Sequence, residues 1–222
     1  MDPNKRQVKS RRRYASPVRE EHARQTRAAI VEAARFLLLR DGFGATTVAA
    51  IASSAGVSVE TVYKTYGGKP GLVRAICEAA LAGEGSVPAE TRSDDLQRTE
   101  TDPRVIIRGW GELATEVTPR IAPMMLLLRA ATATDPEMDH LRAELDARRL
   151  SRMTHNAGTL AAAGHLRAGV SVRHAAEVLW TYSSAELYEL VVIRQRWPLR
   201  RYGTFVAEAM IAALLPPAGA VA

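Results

Sequence analysis

Residues 49–72 read AAIASSAGVSVETVYKTYGGKPGL, and no other stretch restricts the fold as tightly. Ala49, Ala50, Ala52 and Ala55 are small where a globular core would want bulk, so they suit two short helices crossing closely at a steep angle. Gly56 supplies the positive φ that ends the first helix, and Ser58 can cap the second. Val59 with Val62, and Val62 with Tyr66, give the second helix one buried side. Its other side carries Thr61, Tyr63, Lys64, Thr65 and Tyr66. Short hydroxyl and cationic groups flanked by aromatics suit a helix entering a major groove roughly 12 Å wide. A corner inside an ordinary bundle would put bulkier apolar residues there. The pattern therefore predicts a helix–turn–helix, with the positive end of the second helix and Lys69 near phosphates.

The rest of the chain reads as helix throughout. Apolar residues recur at helical spacing from 22 to 40, and Asp41-Gly42 stops that helix. Thr46 or Thr47 caps the next. A fourth helix is expected from Lys69 to Ala82, with Leu72, Val73, Ile76 and Ala80 inward. Residues 83–102 are polar and hold Gly, Pro and Ser, which predicts a loop. Pro103 opens a helix that Pro119 ends, a second follows over about 121–133, and Asp135-Pro136-Glu137 starts a long one reaching about Ala163. Ser171 caps a helix over about 172–195, and Pro198 starts the last. No strand candidate survives, so the expected fold is all-α with about nine helices. The divisions are a basic arm (1–18), a helix–turn–helix domain (19–68), a connecting helix (69–82), a loop (83–102) and a C-terminal bundle (103–217).

Charge points the same way. The first 27 residues hold nine Lys or Arg against three Asp or Glu, a balance of +6 that equals the whole chain's +6. A basic arm on a neutral body suits a polyanion, with nucleic acid ahead of membrane; a solubilising tail explains it equally well. The single Cys77 excludes an internal disulfide and fits a reducing compartment. The arm has no apolar segment of secretory type, and no run spans a bilayer. The expected setting is cytoplasmic, with no membrane partner. His22, His140, His155, His165 and His174 lack metal-ligand spacing, the GGKPG at 67–71 lacks the upstream glycine and the Ser/Thr of a phosphate loop, and no G-x-S-x-G is present. No enzyme, cofactor or metal is expected.

The run TRAAIVEAARFLLLRDGFGATTVAAIASSAGVSVETVYKTYGGKPGL resembles the N-terminal domain of the tetracycline-repressor (TetR) family of transcriptional regulators. Thr26-Arg27, Ala33-Ala34, Gly42-Phe43, Thr47, Ile51-Ala52, residues 55–58, residues 61–63 and Lys69-x-x-Leu72 sit at family spacing. The resemblance implies a homodimer binding double-stranded DNA, most often as a repressor, with a larger helical domain for a ligand and for dimerisation. It implies that Thr47 and Ser58 contact the backbone, that Thr61, Lys64 and Val59 meet bases, and that Tyr63, Tyr66 and Lys69 hold phosphates. Glu60 departs from the family pattern; it either accepts from a cytosine amine or favours the helix dipole. Gly67-Gly68 and Pro70-Gly71 make the start of the fourth helix looser than usual. Arg11, Arg12 and Arg13 lie in a flanking minor groove or add non-specific phosphate affinity.

A sensor of this type needs an apolar cavity with a few orienting polar groups. Ile107, Trp110, Met124, Met125, Leu128, Met153 and Trp180 are its candidates, with Asn156 and Ser184 supplying polarity; the ligand is expected to be small and largely apolar. Leu187, Val191, Phe205 and Met210 of the last two helices are the dimer candidates. Glu186 pairs with Arg194 or a partner arginine, or faces water. The alternative reading is a helical adaptor or enzyme-like binding protein without specific DNA affinity.

Overall fold

The computed structural model describes residues 17–83, 87–133 and 135–217, so Arg11, Arg12 and Arg13 lie outside the described residues. Among the described residues there are helices and no strands: α1 (Pro17–Asp41), α2 (Val48–Ser54), α3 (Val59–Tyr66), α4 (Lys69–Ala82), α5 (Ala89–Thr99), α6 (Pro103–Ala131), α7 (Pro136–Ala162), α8 (Val172–Tyr182), α9 (Ala185–Tyr188) and α10 (Leu199–Leu214). The expected all-α class holds.

Two cores organise them. The first joins Ile30, Leu38, Ile51, Val62, Leu72 and Ile76 of α1–α4 to Met124 and Leu128 of α6 and Met138 and Leu141 of α7. The helix–turn–helix is thus packed onto the end of the larger bundle through α4. The second gathers Ile107 and Trp110 of α6, Leu160 of α7, Leu179 of α8 and Tyr202, Val206 and Leu214 of α10. Each of these large apolar side chains contributes about 1.5–3 kcal/mol of burial. Helices α6 and α10 cross at Gly111 and Gly203, where a Cβ on Gly203 would stand 2.6 Å from the Gly111 carbonyl oxygen.

Four expectations change. Residues 83–102 hold a helix, α5, which a periodicity search misses because it buries short residues, Ala89 and Ser93. It packs through Leu96 against Gly109, where a Cβ would lie 2.3 Å from the leucine methyl, and through a two-pronged Arg92–Glu116 pair at 2.8 and 2.7 Å. Pro119 does not end a helix. The segments expected over 103–118 and 121–133 are one, with Pro119 and Pro123 inside it. A proline removes one backbone donor and strains the preceding turn, but buried Thr118, Ala122 and Met124 hold the helix on both sides. The first helix begins five residues earlier than expected, at Pro17.

The helix expected over 172–195 is broken. Ser183 donates its hydroxyl to the Trp180 carbonyl at 3.1 Å, and Ser184 accepts from the Leu187 amide at 3.2 Å, so α8 ends and α9 restarts with its own cap. Residues Glu189–Arg194 then widen into a π turn, closed by the Gln195 amide on the Leu190 carbonyl at 3.2 Å.

Candidate nucleic-acid interface and cavity

The corner forms as its residues dictate. Gly56 sits at φ 68°, and the Val57 amide returns to the Ala52 carbonyl at 3.0 Å. Thr47 caps α2 by accepting from the Ala50 amide at 3.1 Å, while buried Thr46 donates back to the Leu37 and Gly42 carbonyls at 3.1 and 2.8 Å. Ser58 caps α3 by accepting from the Thr61 amide at 3.1 Å, and its hydroxyl also bonds the Thr61 hydroxyl at 2.9 Å. Gly67, at φ 73°, ends α3 in the left-handed region with its amide on the Tyr63 carbonyl at 2.8 Å.

This leaves α3 with two unlike faces. Val62 is fully buried. Opposite it, Val59 is 41% exposed and Tyr63 53%, with Glu60, Lys64 and Thr65 also exposed. The Thr65 hydroxyl is spent on the Thr61 carbonyl at 2.7 Å. Glu60, Tyr63 and Lys64 keep their polar ends unengaged among the described residues.

Two side chains expected to hold phosphates are engaged within the chain instead. Tyr66 donates its hydroxyl to the Arg27 carbonyl at 3.1 Å, tying α3 to α1, and burial raises its pKa. Lys69 donates to the Phe43 carbonyl at 2.7 Å with its ammonium 4.1 Å from that ring's centre. Both position α3. The start of α4 is also tight, not loose: a Cβ on Gly71 would fall 1.8 Å from the Tyr66 carbonyl oxygen.

Within the bundle lies a cavity of about 840 Å³. Its apolar wall includes Trp110, Leu113, Met125, Met153, Leu179 and Met210, and its polar wall includes Arg142, Asp146, Arg149, Arg152, Asn156 and Ser183. Of the expected lining residues, Trp110, Met125, Met153 and Asn156 face it. Ile107, Met124 and Leu128 do not; they are sealed in the two cores. Trp180 stands behind the wall with the Arg149 guanidinium 4.3 Å from its ring centre, and Ser184 is occupied in capping α9 while its neighbour Ser183 lines the space. Sequence reasoning missed the arginines. They recur with Leu145, Met153 and Asn156 at three- and four-residue steps on one face of α7, a regularity that reads as a solvated stripe until the facing helices are known.

The polar wall is tied to α4. Arg74 of α4 grips Glu144 of α7 with two bonds at 3.0 and 2.7 Å, and Arg148 reaches Glu78 at 3.2 Å. Near the break between α8 and α9, Arg129 holds Glu186 at 3.4 Å and Glu189 at 2.9 Å, while Arg194 also takes Glu189, at 2.7 Å. Glu186 therefore pairs with neither Arg194 nor bulk water alone.

Of the dimer candidates, Leu187 and Val191 are half-buried and Phe205 is 38% exposed, beside Leu190 at 52% and Ile193 at 49%. Met210 is different. It is 4% exposed and lines the chain's own cavity, because α10 turns that face toward α6.

Comparison with known proteins agrees with this geometry. Residues 30–76 match the family model described as bacterial regulatory proteins, tetR family. Over 71 residues the chain is 37% identical to the HTH-type transcriptional regulator YvkB of Bacillus subtilis (strain 168), a match covering 32% of this chain and 38% of that protein. The fold is similar to that of SmeT in its triclosan complex, with a TM-score of 0.67 at 20% identity, covering 88% of this chain and 94% of that one. It is similar also to NalD of Pseudomonas aeruginosa, the secondary repressor of the MexAB-OprM multidrug efflux pump, with a TM-score of 0.66 at 18% identity over 88% and 99% of the two chains. No helix among the described residues is long and apolar enough to cross a membrane. Residues 30–76 thus carry a helix–turn–helix of the tetR family of bacterial regulatory proteins, set in an all-α fold similar to those of SmeT and NalD.

Proposed function

We propose that the chain is a homodimeric repressor that binds a pseudo-palindromic operator and is released by a small molecule entering the bundle cavity. The observation that carries this reading is the split character of α3. Its inner side is locked by Val62, Tyr66 and the Ser58 cap, while Val59, Glu60, Tyr63 and Lys64 stand outward. In this reading Val59 and Lys64 meet base edges, Tyr63 and the capped helix start meet phosphates, and Thr47, Ser58, Thr61, Tyr66 and Lys69 fix the angle at which α3 is offered. Residues 1–18, with Arg11, Arg12 and Arg13, add phosphate contacts. The apolar strip of Leu187, Leu190, Val191, Ile193 and Phe205 is where the second copy docks. A four-helix contact made of two helices from each copy has the required twofold symmetry.

Release needs a ligand that binds two states unequally. The Arg74–Glu144 and Arg148–Glu78 pairs supply a mechanical link, because they join the cavity wall to α4, whose first turn abuts the end of α3. NalD, similar in fold, is a repressor, which supports the same direction of control here. Selection from a random duplex library tests the proposal. It should enrich an inverted repeat whose half-sites are spaced to present successive major grooves, about 34–36 Å apart. Recovery of unordered sequence, with affinity set by salt alone, would show a chain without an operator.

A further inference from the structure

The cavity's polar wall is rich in donors, and two of them, the Trp110 indole N–H and the Asn156 amide, make no hydrogen bond among the described residues. Arg149 stands on this wall with its side chain 24% exposed. Its guanidinium donates to the Trp180 carbonyl and to the Ser183 hydroxyl at 3.2 Å, and both of those partners are neutral. Its one carboxylate, Asp146, is 3.4 Å away and is shared with Arg142 at 3.2 Å. Burial is the largest influence on Arg149 and lowers its pKa, outweighing the pull of Asp146, so the charge is under-compensated where it sits. The other carboxylates on the wall do not invite a cation: Glu78 and Glu186 are held by Arg148 and Arg129, and Glu90 is exposed.

Two further donors face the same way in chemistry. Trp110, 8% exposed, has an indole N–H with no acceptor among the described residues. Asn156, 5% exposed, accepts through Oδ1 from Gln97 Nε2 at 3.3 Å. The orientation of Gln97 is set because the same nitrogen donates to the Ser93 carbonyl, which can only accept. Asn156 must therefore turn its NH₂ away from Gln97, and that group makes no hydrogen bond among the described residues. Arg149 and Asn156 are seven residues apart on one face of α7, about 10 Å along its axis.

Resting on the sensor reading above, we propose that the cavity binds an elongated apolar acid. Its carboxylate sits on Arg149, and its body lies along Trp110, Met125, Met153 and Met210. A second oxygen, where the ligand has one, lies about two turns further, at Asn156. A carboxylate there supplies the bidentate acceptor that Asp146 provides only at the edge of bonding distance. Because Arg149 also holds Ser183 and the Trp180 carbonyl, the ligand's anion competes for the bonds that pin the break between α8 and α9.

The test uses one tail with three heads: decanoate, decanol and decylammonium, titrated calorimetrically into the full chain at pH 7. Decanoate should bind roughly tenfold or more tightly than decanol, and decylammonium most weakly. Arg149→Met should remove that preference and leave decanol affinity within about twofold. The comparison on the unaltered chain stands even where the variant fails to fold. Equal affinity for decanoate and decanol, tighter binding of decylammonium, or no binding of decanoate overturns the assignment. Operator affinity measured in the same samples judges the sensor reading separately. Decanoate that binds selectively and leaves DNA affinity unchanged refutes the sensor and keeps the ligand class, whereas release by decanol as readily as by decanoate keeps the sensor and refutes the acid.

Discussion

The crossing of α6 and α10 makes a sharp prediction about glycine. A Cβ added at Gly203 would stand 2.4 Å from Thr115 Cγ2 and 2.6 Å from the Gly111 carbonyl oxygen. The threonine methyl can rotate away, but the carbonyl belongs to the α6 backbone. The two helices must therefore separate by most of an ångström, and Tyr202 and Val206, nearly sealed beside the crossing, lose contact with them. Overpacking of this kind costs about 3 kcal/mol at the upper end, offset by about 1 kcal/mol of gained helix propensity, so Gly203→Ala should cost about 2 kcal/mol. Gly158, inside α7, has nothing within 4 Å of its added Cβ. The same substitution there should stabilise the chain by about 0.5–1 kcal/mol, from propensity alone. Urea unfolding of both variants beside the parent, at one protein concentration, gives the comparison. Stability shifting in the same direction for both, or Gly203→Ala unfolding no earlier than the parent, would refute the packing argument.

Three other outcomes follow from local geometry. Ser58→Ala removes the α3 cap and should cost about 1 kcal/mol in a thermal melt, and weaken DNA binding further by loosening the helix start. Lys69→Met loses a charged bond to a backbone carbonyl and the contact with Phe43; it should destabilise the free protein by about 1–2 kcal/mol, seen without DNA present, whereas a residue that only touched phosphate would leave the melt unchanged. Burial, its largest influence, pushes the Cys77 thiol up to about 12. At pH 8 the folded chain should resist a disulfide reagent that reacts at once in urea. Because the folded pKa is the raised one, the contribution is fully present below about pH 8.5 and is lost as pH climbs toward 12.

How much of this was legible in the sequence depends on the range of the interactions involved. The α2–α3 corner was readable because its determinants are local: a capping serine, a left-handed glycine and one apolar pair three residues apart. The helix at 89–99 was not, since what holds it is a leucine fitted over Gly109 and an ion pair with Glu116, both on another element. Pro119 misled for the same reason, as its local cost is outweighed by burial of its neighbours in the bundle. Gly71 looked like slack and is a contact point, a distinction that only the position of the Tyr66 carbonyl decides. In the candidate site, Tyr66 and Lys69 were read as phosphate contacts, and their bonds within the chain were not legible because the partners, Arg27 and Phe43, lie 39 and 26 positions away. Arg149 was passed over because a charged stripe on a long helix is usually wet. Only the facing of α7 toward α6 and α8 turns it inward.

The account rests on an outward α3 surface that touches duplex DNA. Replacing Tyr63 and Lys64 together with alanine removes two exposed side chains whose polar ends engage nothing among the described residues, so the melting temperature should stay within a few degrees of the parent. Affinity for the selected operator, read by fluorescence anisotropy, should fall by about a hundredfold, and affinity for a random duplex should fall by less, because Lys64 reads base edges. A double variant that folds normally and binds the operator as tightly as the parent would contradict the account.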